Sequence, residues 1–291
     1  MLEELMVETA PDAVLVYGDT NTTLAAGLAA AKAGFPVAHV EAGLRSFNRA
    51  MPEEINRVLV DHMSEVLLCP TASAVGNLAA EGITEGVHLV GDVMLDTALY
   101  ISERLESQPV LDRFGVERDG YYLATVHRAA NSDDADRLGA IIEAFSRLDL
   151  PVLWPVHPRT RHSIEAFGLT GVLSKAANVR AVPPVAYTET VSLLRSAAGL
   201  LTDSGGMQKE AYFFGVPCVT LREETEWVET VEAGWNRLAG ADTHRIATAV
   251  SEMGRPDVRP EFYGDGHAAE AVVDVLERSF GAADAPVEDH G

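Results

Sequence analysis

Three carboxylates, two histidine–arginine groups and one glycine pair carry the chemistry legible in this sequence. Asp19, Glu41 and Glu53 (with Glu54 beside it) stand at the end of an apolar run or the start of an amphipathic one. Carboxyl groups act as acid and base when burial and neighbours move their pKa values apart. Each also has a plain structural alternative. Asp19 suits the cap of the helix that follows it, and Glu53 suits the first turn of a helix, where the dipole favours an acid. His127-Arg128 and His157-Pro158-Arg159, with Arg161 close by, suit a diphosphate, and histidine can also donate a proton near neutral pH. Asp203-Ser204-Gly205-Gly206 places small residues between an apolar run and the helix from Met207. That arrangement aims backbone N–H groups at a phosphate, although a ligand-free turn reads the same way. His39, inside an apolar run, reads as a packed structural residue.

Other chemistries lack their signatures. GxGxxG, GxxxxGK[ST], HExxH and Gly-x-Ser-x-Gly do not occur, and Cys69 and Cys218 form no CxxC pair. A nicotinamide fold, a P-loop, a metal cage and an α/β-hydrolase elbow are therefore unsupported, and no cofactor is expected.

The elements that must position these residues alternate along the chain. Strands are predicted at 14–17, 37–40, 66–69 and 87–90, with helices at 24–32, 53–62, 73–81 and 94–105. An irregular connection is predicted over 106–119. The rhythm then restarts, with strands at 122–126, 152–156, 179–182, 199–201, 216–221 and 237–239. Helices are predicted between them at 134–147, 188–197, 207–214 and 244–253. Such βα repetition builds parallel, doubly wound sheets. The expected domains are 1–106 and 107–266, followed by a separate amphipathic helix at 267–280 and a disordered acidic tail at 281–291. Nearly every polar cluster named above follows a strand, and ligands of open α/β sheets bind at the carboxyl ends of the strands. Two such edges are expected to face one another across a cleft.

Composition limits the partners. The 291 residues carry 22 Lys+Arg against 44 Asp+Glu, a net charge of −22. That field repels nucleic acid and anionic membranes, so neither is an expected partner. It reads as a solubility adaptation, of the kind suited to high salt. No apolar run approaches the ~20 residues of a membrane span, and Glu3 and Glu4 stand where a signal peptide carries cations. A cytoplasmic protein is expected.

The strings VYGDTNTTLAA, VAHVEAGLRSFNRAMPEEINRVLVDHMS, GDVMLDTAL, TVHRAAN, LLTDSGGMQKEAYFFGVPCVTLREETEWVETVEAGWN and YGDGHAAE resemble the non-hydrolysing UDP-N-acetylglucosamine 2-epimerases, in that family's order, from about Pro11 to about Ser279. The resemblance implies a GT-B-like fold of two Rossmann-like α/β domains. It implies interconversion of UDP-N-acetylglucosamine and UDP-N-acetylmannosamine by elimination and re-addition of UDP, for polysaccharide and glycan precursors, in a homodimer. It places Asp19, Glu41 and Glu53 at the sugar, and His127 at the diphosphate as the fourth catalytic residue. Ser204, Gly205, Gly206 and Glu210 fall in the UDP-binding segment, with Glu210 at the ribose. Arg45, Arg128 and His157 are further expected substrate contacts.

Three departures accompany the resemblance. The family begins with a further strand and a Gly-Thr-Arg-Pro-Glu loop, so the first domain is expected to be incomplete, with an uncovered sheet edge. Trp227 stands where many relatives carry Arg. Thr190 stands near the position of an aromatic residue that packs on uracil, with Tyr187 close by. A glycosyltransferase, a hydrolysing epimerase and a weakly active remnant are the competing readings.

Overall fold

The computed structural model describes residues 1–281; the tail expected to be disordered lies, apart from Gly281, outside them. The chain divides into two compact units: Met1–Asp96 together with the chain from Glu261, and Thr97–Pro260.

The first unit contains α1 (Leu2–Thr9), β1 (Val14–Tyr17), α2 (Asn21–Ala33), β2 (Val37–Val40), α3 (Pro52–Met63), β3 (Val66–Cys69), α4 (Ala72–Ala80) and β4 (Val87–Leu89). Local sequence sets several of these ends. Thr20 caps α2 through its hydroxyl, and Gly34 closes it in the left-handed region. Pro52 opens α3 at a position that needs no N–H donor. The strands are parallel in the order β1-β2-β3-β4, each joined to the next. Residues of β2 and β3 are buried on both faces. Val37 packs with Met6, Ala30 and Val60 on the face of α1, α2 and α3. Ala38, Val40, Val66 and Leu68 pack instead with Val272 and Val275. β1 is an edge strand, with Tyr17 54% exposed.

The second unit begins within α5 (Val93–Ser102) and continues with α6 (Gln108–Phe114), β5 (Tyr122–Thr125), α7 (Ala129–Ser132) and α8 (Ala135–Ser146). β6 (Val152–Pro155), α9 (Pro158–Ala166), α10 (Thr170–Lys175), β7 (Val179–Val182), α11 (Tyr187–Ser196) and β8 (Gly199–Thr202) follow. Then come α12 (Gly205–Phe213), β9 (Cys218–Thr220), α13 (Val228–Glu232), β10 (Asn236–Leu238) and α14 (Thr243–Ser251). The last helix, α15 (Ala268–Phe280), returns to the first unit.

The six parallel strands of this unit run β10-β9-β8-β5-β6-β7. Side chains alternate between its faces. Tyr122, Ala124, Trp154, Leu201 and Val219 enter one core with Leu138, Ile141 and Phe145. Leu123, Leu153, Leu200 and Cys218 enter the other with Leu193, Leu194 and Phe114. Burying each such aliphatic or aromatic side chain stabilises the fold by roughly 1.5–3 kcal/mol. Chain order reverses between β5 and β8, which pair along Tyr122↔Gly199 to Thr125↔Thr202. This is the topological switch point of the sheet.

Three organisational expectations are corrected. The division between the units falls at 96/97 rather than 106/107, and the second unit ends at Pro260 rather than at 266. The stretch 106–119 contains α6, whose Leu111 and Phe114 are buried in the core of the second unit. The amphipathic helix near the carboxyl end is no separate domain: Val272 and Val275 of α15 cover the second face of the first sheet, making that sheet doubly wound. Among the described residues, no helix is long and apolar enough to cross a membrane.

Candidate functional site

In the first unit, Asp19 follows β1 and Glu41 follows β2, so the two carboxylates leave neighbouring strands at the same edge. Gly18 makes the turn with φ 65°, and a Cβ built on it would stand 3.2 Å from Glu41 Oε2. Glu41 itself holds φ 69°, uncommon for a residue with a side chain. Conformations of that kind cluster at functional sites.

The neighbours of Asp19 decide between its two readings. Thr20, not Asp19, caps α2. The Asp19 carboxylate instead accepts from Arg57 Nε at 3.0 Å and Nη2 at 2.7 Å, both on Oδ2. Arg57 Nη1 reaches Glu54 Oε2 at 2.7 Å. The two adjacent glutamates of α3 therefore differ. Glu53 is half-buried in the first turn. Glu54 is buried and accepts from Ser46 N, Ser46 Oγ and Phe47 N. Burial pushes the Glu54 carboxyl up, but the Ser46 and Phe47 amides, Arg57 and the Ser46 hydroxyl outweigh it and hold the group below the ordinary glutamate range.

Beneath this edge lies a second set of buried charges. His39 Nε2 donates to the Gly18 carbonyl at 2.8 Å, and its Nδ1 meets Asp61 Oδ1 at 2.7 Å. Asp61 Oδ2 accepts from Gly43 N and Arg45 Nη1. Arg45 was expected to touch substrate, and the structure corrects this. Its guanidinium is buried, forks onto both Glu81 oxygens at 2.7 Å, and binds Asp61 and the Leu44 carbonyl. Burial lowers its pKa, yet the Glu81 and Asp61 carboxylates raise it further, so Arg45 remains a charged rivet within the unit. His39 is structural, as its apolar setting implied, but it is hydrogen-bonded at both nitrogens.

In the second unit the polar motifs converge at the switch point. His127-Arg128 follows β5, His157 follows β6, and Asp203 to Gly206 follows β8; these three strands are adjacent. Asp203 is fully buried and accepts from His127 N at 3.0 Å, Arg128 N at 3.0 Å and Asn131 Nδ2 at 3.1 Å. It thereby ties the turn after β5 to the turn after β8. The His127 and His157 rings lie 6.0 Å apart. Burial holds His127 below the usual histidine range; Asp203 opposes that, while Arg128 and His157 reinforce it. His157 is exposed, and its Nδ1 accepts from Arg159 N at the start of α9.

Ser204 caps α12 through its Oγ, which leaves Gly205 and Gly206 as the first residues of the helix. Amides at such a terminus favour an anion. A Cβ on Gly205 would meet Glu226 Oε1 at 2.4 Å and Trp227 Nε1 at 3.4 Å, so the ETEW segment packs directly on this turn. Glu226 is paired with Arg222 at 3.0 Å, and Lys209 Nζ lies 4.3 Å from the Trp227 ring centroid. Glu210, one turn into α12, is buried and accepts from Tyr187 OH at 2.6 Å. Sequence reasoning noted Tyr187 only as a neighbour of Thr190, and missed Arg57 and the bracing role of Asp203. Arg57 carried one signal, its placement three residues after Glu54 on a helix, which also describes any surface ion pair.

The chain is similar to known proteins over most of its length. The sequence model of the family described as UDP-N-acetylglucosamine 2-epimerase matches residues 1–277. A Methanococcus maripaludis protein named UDP-N-acetylglucosamine 2-epimerase homolog is 46% identical over 94% of this chain and 78% of its own length. A Pseudomonas aeruginosa UDP-2,3-diacetamido-2,3-dideoxy-D-glucuronate 2-epimerase is 46% identical over 95% of this chain and 78% of its own. The crystal structure of Methanocaldococcus jannaschii UDP-GlcNAc 2-epimerase in complex with UDP-GlcNAc and UDP superposes with a TM-score of 0.88 and 41% identity, over 95% of this chain and 78% of that one. The two parallel α/β sheets are those of GT-B-like epimerase structures. With parallel sheets, strand-end motifs and family sequence in agreement, this chain belongs to the UDP-N-acetylglucosamine 2-epimerase family.

Proposed function

We propose that this protein interconverts UDP-N-acetylglucosamine and UDP-N-acetylmannosamine by eliminating UDP and adding it back. The observation that carries the reading is the sorting of residues between sheet edges. Carboxylates gather after β1 and β2, while histidines, arginine and a capped helix start gather after β5, β6 and β8. The first set suits the sugar ring and the second a nucleoside diphosphate. The hydrogen at C2 is not acidified by a carbonyl, so simple deprotonation faces a prohibitive barrier. In the elimination, C2–H passes its proton to a carboxylate, C1=C2 forms, and the C1–O electron pair leaves with UDP. Return of a proton to the opposite face of C2 and re-addition of UDP oxygen at C1 completes the change. Asp19, Glu41 and Glu53 are assigned to the sugar. His127, Arg128, His157 and the Ser204-Gly205-Gly206 turn are assigned to the diphosphate, and Glu210, with Tyr187, to the ribose. We infer further that the enzyme works as a cytoplasmic homodimer supplying polysaccharide precursors.

Incubation with UDP-N-acetylglucosamine in D2O, at low and high salt, tests the reaction. Deuterium at C2 of nucleotide-linked sugar is the expected result, whereas free sugar or no exchange refutes it. A second substrate is worth testing beside it, because the 46% identity to the diacetamido-glucuronate epimerase equals that to the protein named UDP-N-acetylglucosamine 2-epimerase homolog. Running both nucleotide sugars side by side decides between them by kcat/KM.

A further inference from the structure

Arg57 is only 2% exposed, yet its guanidinium serves two carboxylates from one helix position. Glu54 takes one edge of it, and Glu54 is itself fixed by Ser46 and Phe47. Asp19 takes the other edge, with two N–H donors on a single oxygen. Asn56, next to Arg57 on α3, donates to the Asp19 backbone carbonyl at 2.8 Å. The site end of β1 is thus bolted to α3 by side chain and main chain together.

A buried guanidinium is tolerated only when ionised partners offset its desolvation. Oδ2 of Asp19 faces two donors of a permanent cation, so a proton has no place there. The other charged groups around Asp19 act differently. Glu41, whose Oε2 lies over Gly18, opposes a second negative charge nearby. Glu54 is neutralised through Arg57. His39 and Asp61 lie behind Gly18 as a mutual pair. The neighbouring carboxyl groups therefore meet unequal surroundings.

We propose that Arg57 is a positioning residue that holds Asp19 as a carboxylate throughout the working pH range, too weak a base to keep a proton taken from C2 and never the acid that returns one, so that the proton exchanged at C2 is carried by another carboxyl group, Glu41 or Glu53. Asp19 then serves as a fixed negative charge beside the ring as positive charge develops at C1. The assignment to C2 chemistry rests on the epimerase reading; the ionisation of Asp19 does not.

Two measurements keep these parts distinguishable. In protein labelled with 13C at aspartate carboxyls, the Asp19 signal is identified by its loss in Asp19→Asn and titrated in wild type, Arg57→Lys and Arg57→Gln. The expected midpoint in wild type lies below the ordinary aspartate range, rises by about one pH unit or more in Arg57→Gln, and rises less in Arg57→Lys. Should Arg57→Gln fail to fold, the Lys variant alone still reads the shift. An Asp19 midpoint in the ordinary range, or one unmoved by either folded variant, overturns the proposal. In the second measurement, C2 deuterium exchange is compared for Asp19→Asn, Arg57→Gln and the double variant. If Arg57 acts through Asp19, the double variant is no slower than Asp19→Asn within about twofold, because the two losses are one loss. Losses that multiply make Arg57 a merely structural residue and overturn the proposal. Absence of exchange in wild type with the expected Asp19 titration refutes the epimerase reading and leaves the ionisation assignment supported.

Discussion

Replacing Asp203 tests whether one buried carboxylate joins the two turns at the switch point. Asp203→Ala strips the acceptor from His127 N, Arg128 N and Asn131 Nδ2, at 3.0, 3.0 and 3.1 Å. Hydrogen bonds to a charged acceptor contribute about 1.5–3 kcal/mol each, and a buried donor left unpaired costs about 1–3 kcal/mol. Simple addition overstates the loss. His127 and Arg128 are half-buried, so water can reach their amides, and the Asn131 amide keeps the Leu221 carbonyl. About 3 kcal/mol is the expected net destabilisation on these terms. Trp154, Trp227 and Trp235 all lie in the second unit, so tryptophan fluorescence during urea unfolding follows the unit that holds Asp203. With a slope near 2 kcal/mol/M, the midpoint should fall by about 1.5 M. Asp203→Asn keeps at the Oδ2 position the oxygen that meets Arg128 N, Asn131 Nδ2 and, at 3.1 Å, His127 N, and loses only the charge and the second contact to His127 N, so at most roughly half that shift is expected. UDP affinity should fall at least about tenfold in the Ala variant, because the His127 turn is released from Ser204. A midpoint shift below about 0.3 M with unchanged UDP affinity would refute the claim that Asp203 organises the switch point.

Three further outcomes follow from the same geometry. His127 is held below the usual histidine value of 6.5, hence neutral in the free protein at neutral pH, and a bound diphosphate would raise it. UDP binding should therefore take up protons and tighten as pH falls from about 7 toward 5.5, by at most about tenfold per unit; calorimetry in two buffers should show this in wild type and not in His127→Gln. The Glu54 carboxyl is held below its usual 4.5, so its stabilisation is present above that value and lost as pH falls through the lower folded value. Glu54→Gln, which keeps an oxygen acceptor but loses the charge, should be less stable by about 2–3 kcal/mol near neutral pH, with the gap closing on acidification, and a constant gap in pH-dependent unfolding would contradict the pairing. Gly43 holds φ 79°, and a Cβ there would meet the Ala74 carbonyl oxygen at 2.4 Å. Gly43→Ala should consequently destabilise the first unit by more than about 3 kcal/mol, and wild-type stability in a thermal melt would exclude that close approach.

The fold was legible wherever burial is continuous. Val37–Val40, Val66–Cys69 and Gly199–Thr202 are buried at every residue, and their largely apolar runs, interrupted by His39 and closed by Thr202, announce strands covered on both faces. Strand order was not legible, because parallel pairing leaves no turn between partners. Nothing local in Thr125 or Thr202 says that they are neighbours, yet that pairing sets the switch point. Short helices were missed for a related reason. In α6, Leu111 and Phe114 are core residues, but seven residues with Pro109 and Gly115 at the ends read as a linker. The return of α15 to the first sheet was hidden as well, since an amphipathic face shows that a partner exists without showing which one.

The candidate site divides along the same physical line. Asp19, Glu41, His127 and Ser204 follow strands, where backbone geometry fixes their position with little help from partners, so their place at the sheet edges could be named from order alone. Residues that set the state of those groups act across the fold: Arg57 reaches Asp19 from 38 positions away, and Asp203 reaches His127 from 76. Their local spacing is that of ordinary ion pairs and turns, and only the third dimension separates them from solvated charges. Arg45 shows the error in the opposite direction. It follows the same strand as Glu41 and belongs to the same motif, but its guanidinium points into Glu81 and Asp61 rather than outward. In a chain with twice as many acids as bases, a cation is more readily drawn into an internal pair than left for a ligand, and Arg45, Arg57 and Arg222 are all buried against carboxylates. The diphosphate is assigned to Arg128, the amides at the start of α12 and the rings of His127 and His157; arginine keeps its charge at every working pH, which is the reason for seeking the pH dependence at His127 rather than at an arginine.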